Sequence, residues 1–322
     1  MQIIRNPDPS QVFCEKTVIT IGNFDGVHNG HREIFRRMKQ ASILQNLKSM
    51  VVTFEPHPLA VLAPHALPPM ITTYFQKTAL IAEEGIDFLV IISFTPDFSM
   101  IPADEFVRDI LYRVLGMQHI IIGHDYRFGA GRQGNFETLT VLSRELGFTM
   151  EDTEPVGKDG IIYSSSLARR LIADGDMEQT ALVLGKYYMI SGKVVHGREI
   201  GRAIGFPTAN ISTENELIPQ DGVYAVFVRY SGELYNGACS IGINPTFEGG
   251  ERSIEVFLLD FSSDLYNQEI EIFFVQRLRG VLKFTGAEEL IKAINYDIAV
   301  TRMILAAADK NLCKPERFSF EV

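Results

Sequence analysis

Residues 17–35 read TVITIGNFDGVHNGHREIF, and the order of these characters decides the fold of the first half of the chain. A β-rich apolar run, Thr17 to Ile21, stops at Gly22. A polar loop follows, carrying Asn23, Phe24, Asp25 and, around Gly30, the pair His28 and His31. An amphipathic pattern then begins, with Ile34, Phe35 and Met38 as its apolar positions. The layout is strand, glycine loop, helix, with His31 in the first helical turn. The first N–H groups of a helix lack internal partners and the peptide dipoles make that end positive, so the loop is an anion site. Gly22 and Gly30 are expected to let the backbone approach a phosphate closely. Two imidazoles at that spot can donate hydrogen bonds to phosphate oxygens as charge builds on them. A metal held by Asp25, His28 and His31 is the competing reading, but an open loop with two glycines suits a phosphate better than a closed ligand cage.

Working outward, the first half alternates strand and helix. Strand-like runs are Thr17 to Ile21, Met50 to Phe54, Phe88 to Phe94 and Ile120 to Ile122, with helical patterns near 31–46, 73–84 and 103–115. This is the βαβ rhythm of a Rossmann-like parallel sheet covered on both faces. Ligands of such sheets sit beyond the carboxyl ends of the strands, and three unusual segments fall there: Gly22 to His31, Glu55-Pro56-His57-Pro58 and Gly123 to Asn135. In the second, prolines fix the backbone, and Phe54 either lies against a flat ring or packs in the core. The third, GHDYRFGAGRQGN, gathers Tyr126, Arg127, Phe128 and Arg132 among four glycines; arginine planes and aromatic rings can stack on flat rings, and arginines can clamp phosphates. Ser164, Ser165 and Ser166 open another helix, where hydroxyls cap it or bind phosphate, with Arg169 one turn on.

Near residue 185 the rhythm changes, so the domains are expected at 1–184 and 185–322. Short β-like runs follow: Ile190 to Val195, Gly222 to Arg229, Tyr235 to Ile243, Ser253 to Asp260 and Glu269 to Val275. Regular short strands with turn signals indicate a small antiparallel barrel or sandwich. A helix from about Thr285 to Ala308 closes the chain, with Leu290, Ile291, Ile294, Ile298 and Met303 as its apolar face. The fold class is therefore α/β plus β. Gly192, His196, Gly197 and Arg202 lie in a glycine- and base-rich turn suited to a nucleotide's phosphates. Pro207 rigidifies the segment that presents Thr208 and Asn210, whose hard oxygens suit Mg²⁺ otherwise held by phosphate and water. Glu255 lies on the strand face opposite Ile254 and Val256, either as a solvated carboxylate or as a base for a substrate hydroxyl.

Composition narrows the classes. The 322 residues carry a formal charge of 30 − 40 = −10, which argues against broad nucleic-acid or anionic-membrane binding. Cys14, Cys239 and Cys313 are scattered without Cys-x-x-Cys spacing, so neither disulfides nor zinc fingers are expected, and a reducing cytoplasm fits. The segment MQIIRNPDPSQVF lacks a basic stretch followed by a long apolar run, so no secretory leader is expected. A monomer or weak homo-oligomer acting on small molecules is the expected form.

The His-x-Gly-His spacing resembles that of nucleotidyltransferases, which join a nucleoside monophosphate from ATP to another phosphate. Over nearly the whole chain the motifs resemble the bacterial bifunctional riboflavin kinase/FAD synthetase family. GNFDGVHNGH, TFEPHP, GHDYRFGAGRQGN and SSSLAR are similar to the adenylyltransferase half; HGREIGRAIGFPTAN, IGINPTF and SIEVFLLDF are similar to the kinase half. The resemblance implies a riboflavin kinase-like barrel that phosphorylates riboflavin to FMN, and a nucleotidyltransferase domain that transfers AMP from ATP to FMN. It implies ATP phosphates at His28, His31, Ser164, Ser165 and Arg169, and Asp125 on the nucleotide side. Phe54, Pro58, Phe128 and Arg279 would border flavin. Thr208 and Asn210 would meet Mg²⁺ and phosphate, and Glu255 would be the kinase base. Two departures from the family pattern are Val281, after Leu278-Arg279, where an acidic residue is frequent, and Leu167, where an arginine is frequent. The alternatives are an FAD synthetase with a weak kinase barrel and a non-catalytic flavin-binding protein.

Overall fold

The structure is a computed structural model that describes residues 1–123, 126–197, 205–243 and 252–314. The chain forms two compact units. Among the described residues, the first comprises Met1–Pro69 and Tyr74–Ser164; the second comprises Met70–Thr73 and residues 165–314.

The first unit is built on a six-stranded parallel sheet in the order β1-β4-β3-β2-β5-β6. The strands are β1 (Gln2–Arg5), β2 (Thr17–Ile21), β3 (Lys48–Glu55), β4 (Phe88–Ser93), β5 (Met117–Gly123) and β6 (Thr149–Thr153). All five residues of β2 are buried, as a strand covered on both faces requires. Alternation sends Ile19, Met50, Val52, Val90 and Ile120 to one face, against Phe106, Leu111, Leu139 and Leu142. Val18, Val51, Leu89, Ile91 and Ile121 go to the other face, against Phe35 and Met38 of α1 (Asn29–Gln45) and Leu80 and Ile81 of α3 (Tyr74–Glu83). The order reverses at β2, whose neighbours are β3 on one side and β5 on the other, so the loop after β2 sits at the switch point where such sheets bind ligands. The helical pattern expected at 103–115 is α-helical over Ala103–Glu105 and π-helical over Phe106–Val114.

The second unit is a closed antiparallel barrel of six strands in the order β10-β13-β12-β11-β14-β9. After a small hairpin of β7 (Gly157–Lys158) and β8 (Ile161–Ile162), its strands are β9 (Tyr188–Val195), β10 (Ala209–Thr213), β11 (Gly222–Tyr230), β12 (Glu233–Ile243), β13 (Arg252–Leu258) and β14 (Glu269–Arg279). Five of them match the runs read from sequence. β10 does not, because the FPTAN segment reads as a proline-stiffened turn until its pairing with β9 and β13 is seen. The helices Ser165–Asp174 and Met177–Leu184 pack on each other, and the latter packs on β9 and β14. For that reason the division by contact falls between Ser164 and Ser165, upstream of the change in sequence character at 185.

The helix Ala287–Ala307 covers β11, β12 and β14. Its buried positions are Asp297, Thr301 and Leu305, spaced by one helical turn. The expected apolar face is thus corrected: Met303 is exposed and Leu290, Ile291, Ile294 and Ile298 are only half-buried. An acidic residue could not be read as the inward one without knowing that Arg279 meets it there.

Candidate active sites

The loop after β2 is tightly wound. Gly26 has φ 80, and Phe24 and Val27 take the left-handed region at φ 50 and φ 43. That conformation is uncommon for a non-glycine residue and an outlier for a β-branched one, and such residues concentrate at ligand sites. The Val27 N–H closes the turn onto the Phe24 carbonyl at 3.2 Å. His28 then caps α1: its Nδ1 accepts from the Gly30 N–H at 3.1 Å. With Nδ1 accepting, the proton of the neutral ring resides on Nε2, the atom type that donates to a phosphate oxygen. His28 and His31 stack, ring centroids 3.6 Å apart and planes at 27°.

The two glycines of the loop have a more specific task than approach to phosphate. A Cβ on Gly22 would stand 2.9 Å from the Phe24 ring, and one on Gly30 would stand 2.9 Å from His28 Cε1. Each glycine makes room for a ring of its own loop. Phe24 is buried against His31, at 5.1 Å between centroids, and Phe35, at 5.0 Å. The Tyr163 carbonyl oxygen lies 3.5 Å from the same Gly30 position, which brings the start of the serine segment up to the first turn of α1. Ser164 closes the first unit; Ser165 and Arg169 begin the second.

The second segment is tied to the first. His57 caps the short helix α2 (Pro58–Leu62), with Pro58 in its first turn, and accepts from the Leu59 N–H at 3.1 Å through Nδ1. Its Nε2 lies 3.0 Å from the Asn23 amide group. Phe54 is buried in the core, edge-on to Phe94 at 5.6 Å and beside Phe98 at 5.9 Å. Phe128 is also buried, 6.2 Å from Phe106, with Tyr126 stacked on it at 5.9 Å and 15°. The aromatic residues thus form one chain from β3 to the loop after β5. Arg127 and Arg132 are exposed. Asp125 lies outside the described residues, as does Arg202 in the second unit.

Sequence reasoning missed Lys77. It is 3% exposed on α3. Its ammonium donates to the Asn23 carbonyl and to Thr53 Oγ1, both at 3.3 Å, and lies 4.8 Å from the Tyr74 ring centre. Burial pushes it down to about 8, against the opposing pull of the Asp25 and Glu55 carboxylates. The available signal was a lysine directly before the apolar run TALIA of residues 78–82, on a helix whose six consecutive residues Gln76 to Ile81 are all buried.

In the second unit, the segment after Gly205 runs along the outer face of β13. Ile254, Val256 and Leu258 point inward, and Glu255 and Phe257 the other way, as alternation requires. Phe206 packs edge-on to Phe257 at 5.8 Å, Thr208 Oγ1 donates to Glu255 Oε2 at 3.1 Å, and Asn210 is the cross-strand partner of Glu255. A Cβ on Gly197 would fall 2.1 Å from Asn210 Nδ2, so this glycine admits the Asn210 side chain. His196 stacks on Tyr266 at 3.9 Å and 23°. Gly192 lies within the barrel wall, where a Cβ would stand 2.3 Å from the Ser212 carbonyl oxygen; close strand packing explains it. Arg279 reaches Asp297 of the C-terminal helix, with Nη2 2.6 Å from Oδ2 and Nε 3.1 Å from Oδ1. Cys239 is buried, and burial, with the nearby Glu255 charge, raises its thiol well above the ordinary range, so it is no nucleophile. Among the described residues no group of three or more His, Cys, Asp or Glu side chains could hold a metal ion.

A switch-point loop with a stacked histidine pair at a helix N-terminus defines a nucleotidyltransferase-type domain, here joined to a barrel with a threonine–glutamate pair. Comparison with known proteins identifies both. The family model described as FAD synthetase matches residues 10–167, and that described as riboflavin kinase matches 184–305. The bifunctional riboflavin kinase/FMN adenylyltransferase of Escherichia coli (strain K12) is 38% identical over 304 residues, 94% of this chain and 97% of that one. The protein of the same name from Pseudomonas fluorescens is 37% identical over 310 residues, 95% of this chain and 98% of its own. The chain belongs to the bifunctional riboflavin kinase/FMN adenylyltransferase family. A crystal structure of a macrolide-efflux protein from Streptococcus pneumoniae superposes with a TM-score of 0.87 at 30% identity, covering 94% of this chain and 99% of that one. Among the described residues no helix is long and apolar enough to cross a membrane.

Proposed function

We propose a division of labour for the family's two reactions, adenylyl transfer by residues 1–184 and phosphorylation by residues 185–322. The chain is a bifunctional riboflavin kinase and FMN adenylyltransferase, and ATP and flavins are its substrates. In the barrel, the terminal ribityl hydroxyl of riboflavin attacks the γ-phosphorus of ATP and gives its proton to Glu255, leaving FMN and ADP. The observation that carries this assignment is the Thr208–Glu255 contact opposite Asn210, which gathers a carboxylate, a hydroxyl and an amide oxygen at one place. Those hard oxygens fit Mg²⁺ carried in with ATP, because that ion keeps most of its shell as water and phosphate and takes few protein ligands. When bound there, it neutralises charge on the phosphates.

In the parallel-sheet unit, an FMN phosphate oxygen attacks the α-phosphorus of ATP and pyrophosphate leaves. No protein nucleophile is required, so the work is positioning and charge stabilisation. His28 and His31 supply donors at the N-terminus of α1, and Ser164 supplies a further phosphate contact; Ser165 and Arg169 are the phosphate-binding residues that the family resemblance adds. Phe54, Phe128 and Pro58 shape the flavin side, with both phenylalanines acting from within the packed aromatic chain. Function divides at residues 1–184 and 185–322, and the enzyme works in the cytoplasm as a monomer or weak homo-oligomer.

The test is incubation of the purified chain with ATP, Mg²⁺ and either riboflavin or FMN, followed by chromatography. FAD from both mixtures is expected. FAD from FMN alone would mean the barrel does not phosphorylate, and flavin bound without ATP consumption would overturn the reading of both sites.

A further inference from the structure

A lysine sealed inside a protein is costly, because desolvation penalises its charge, and one is seldom fully buried without a partner. Lys77 stands where α3 passes the ends of β2 and β3. Its two oxygen partners belong to different segments: the Asn23 carbonyl in the loop after β2, and Thr53 Oγ1 in β3. Thr53 Oγ1 itself lies 3.4 Å from the Asn23 carbonyl, so the three groups form one cluster. The Asn23 side chain continues the connection to His57, which starts α2. Immediately after Asn23 come the left-handed residues Phe24 and Val27, and then His28. Residues in such conformations persist only where their surroundings hold them. The carbonyl that Lys77 and Thr53 grip is the last backbone group before that strained turn.

We infer that Lys77 is a positioning residue for adenylyl transfer: from α3 its ammonium fixes the Asn23 carbonyl, balances the Asp25 charge, and so sets where the loop places His28. This rests on the assignment of adenylyl transfer to the first unit. Lys77 does not touch the reacting atoms; it acts through the loop. The charged and titratable groups around it are Asp25 of the loop, Glu55 at the end of β3 and Tyr74 one helical turn away, with His28 and His31 carried by the loop it grips and His57 linked to that loop through Asn23. Loss of the ammonium's proton as pH rises through about 8 releases its hold on the Asn23 carbonyl, so a fall in activity there is the signature expected of the lysine.

The experiment uses the full-length chain with Lys77→Met, which keeps the length and removes the charge. FAD formation from FMN and FMN formation from riboflavin are measured on the same preparation from pH 6.5 to 9.5. The expected result is a fall in kcat for FAD formation of about 10- to 100-fold, the range for a catalytic group displaced by about an ångström. KM for ATP and FMN should stay within about threefold, and riboflavin phosphorylation should be unchanged. The alkaline limb of the wild-type profile should be absent from the variant, and Lys77→Arg should recover part of kcat. A variant within twofold of wild type, or one that keeps the alkaline limb, overturns the inference. If Lys77→Met does not fold, Thr53→Ala tests the same point. Removing one acceptor disfavours the ammonium, so the limb should move down by roughly half a unit to one unit; an unmoved limb overturns the inference. A wild-type chain that makes FMN but no FAD would overturn the assignment of the first unit and the inference with it.

Discussion

His28 and His31 stack face to face with 3.6 Å between ring centroids, although they stand on different structural footing. His28 is the N-cap of α1 and His31 lies within its first turn. Capping locks His28 Nδ1 onto the Gly30 N–H, which leaves Nε2 as the donor of the neutral ring. His28→Ala removes the donor and the cap together. FAD formation from FMN should fall by about 10²- to 10³-fold, the range for loss of one preorganised donor to a developing charge. FMN formation by the barrel should stay within about twofold. Product chromatography with riboflavin and FMN as alternative substrates reads both; an equal loss in both reactions would contradict the assignment of one site to each unit.

Gly30→Ala probes the same ring without deleting it. The added methyl would stand 3.0 Å from His28 Nδ1 and 2.9 Å from Cε1, the latter closer than real contacts allow. The ring must turn or the first turn of α1 must shift. FAD formation should fall at least about tenfold, since small displacements of a catalytic group cost on that scale. Gly160→Ala is the control on the glycine side, because open space surrounds its Cβ position; its cost should be limited to the strain of its positive φ. If Gly30→Ala is as active as wild type, the His28 ring is not the group that matters.

In the barrel, Thr208 and Glu255 form a hydrogen-bonded pair. Glu255→Gln keeps the shape and removes the proposed base, so FMN formation should fall by about 10²- to 10⁴-fold. Thr208→Val removes the hydroxyl that meets Glu255 Oε2 and should also lower FMN formation, by less. In both variants FAD formation from supplied FMN should be unchanged. Normal riboflavin phosphorylation by Glu255→Gln would remove Glu255 from the role of base.

The sequence displayed the parts of these sites that depend on neighbours along the chain. A strand–glycine–histidine–helix order is local, so the loop of residues 22–31 and its helix were readable directly. The purpose of Gly22 and Gly30 was not, since it depends on where the rings of Phe24 and His28 turn. Alternation placed Glu255 on its face of β13, but its contact with Thr208 needed the pairing of β10 with β13, which joins residues far apart in sequence. Lys77 and Asp297 were missed for a single reason. Both are charged residues turned inward, and periodicity reads charge as outward. Their partners, Asn23 and Thr53 for one and Arg279 for the other, come from distant segments.

Arg279 illustrates the difference this makes. Its guanidinium ties the end of β14 to Asp297, whose side chain is only 7% exposed. Arg279→Met leaves that carboxylate buried and unpaired, which costs about 3–5 kcal/mol for a broken buried pair. Because the arginine side retains 22% exposure, the lower end applies, and the melting temperature of the barrel should drop by roughly 6–12 °C. Arg279→Met combined with Asp297→Leu should recover most of the loss, because both partners are then apolar. Scanning calorimetry with a riboflavin KM for each variant separates the roles. A raised KM without a change in melting temperature would assign Arg279 to flavin and not to the helix.

Lys77 has a stability consequence opposite to its effect on activity. Its ammonium is held at about 8 in the folded chain, against 10.5 when exposed. Below pH 8 the group is charged in both states, so the folded state bears the whole desolvation penalty, about 3 kcal/mol for a shift of this size. Between pH 8 and 10.5 the unfolded chain binds the extra proton and the folded chain does not, so stability rises with pH. Above 10.5 the group is neutral in both states and the penalty is gone. Lys77→Met has no such penalty at any pH. The variant's parallel-sheet unit should therefore melt several degrees above wild type at pH 7, and the gap should close as pH approaches 10. Thermal melts at pH 7, 8.5 and 10 measure this directly. A variant less stable than wild type at pH 7 would mean that the hydrogen bonds to Asn23 and Thr53 outweigh the cost of burying the charge.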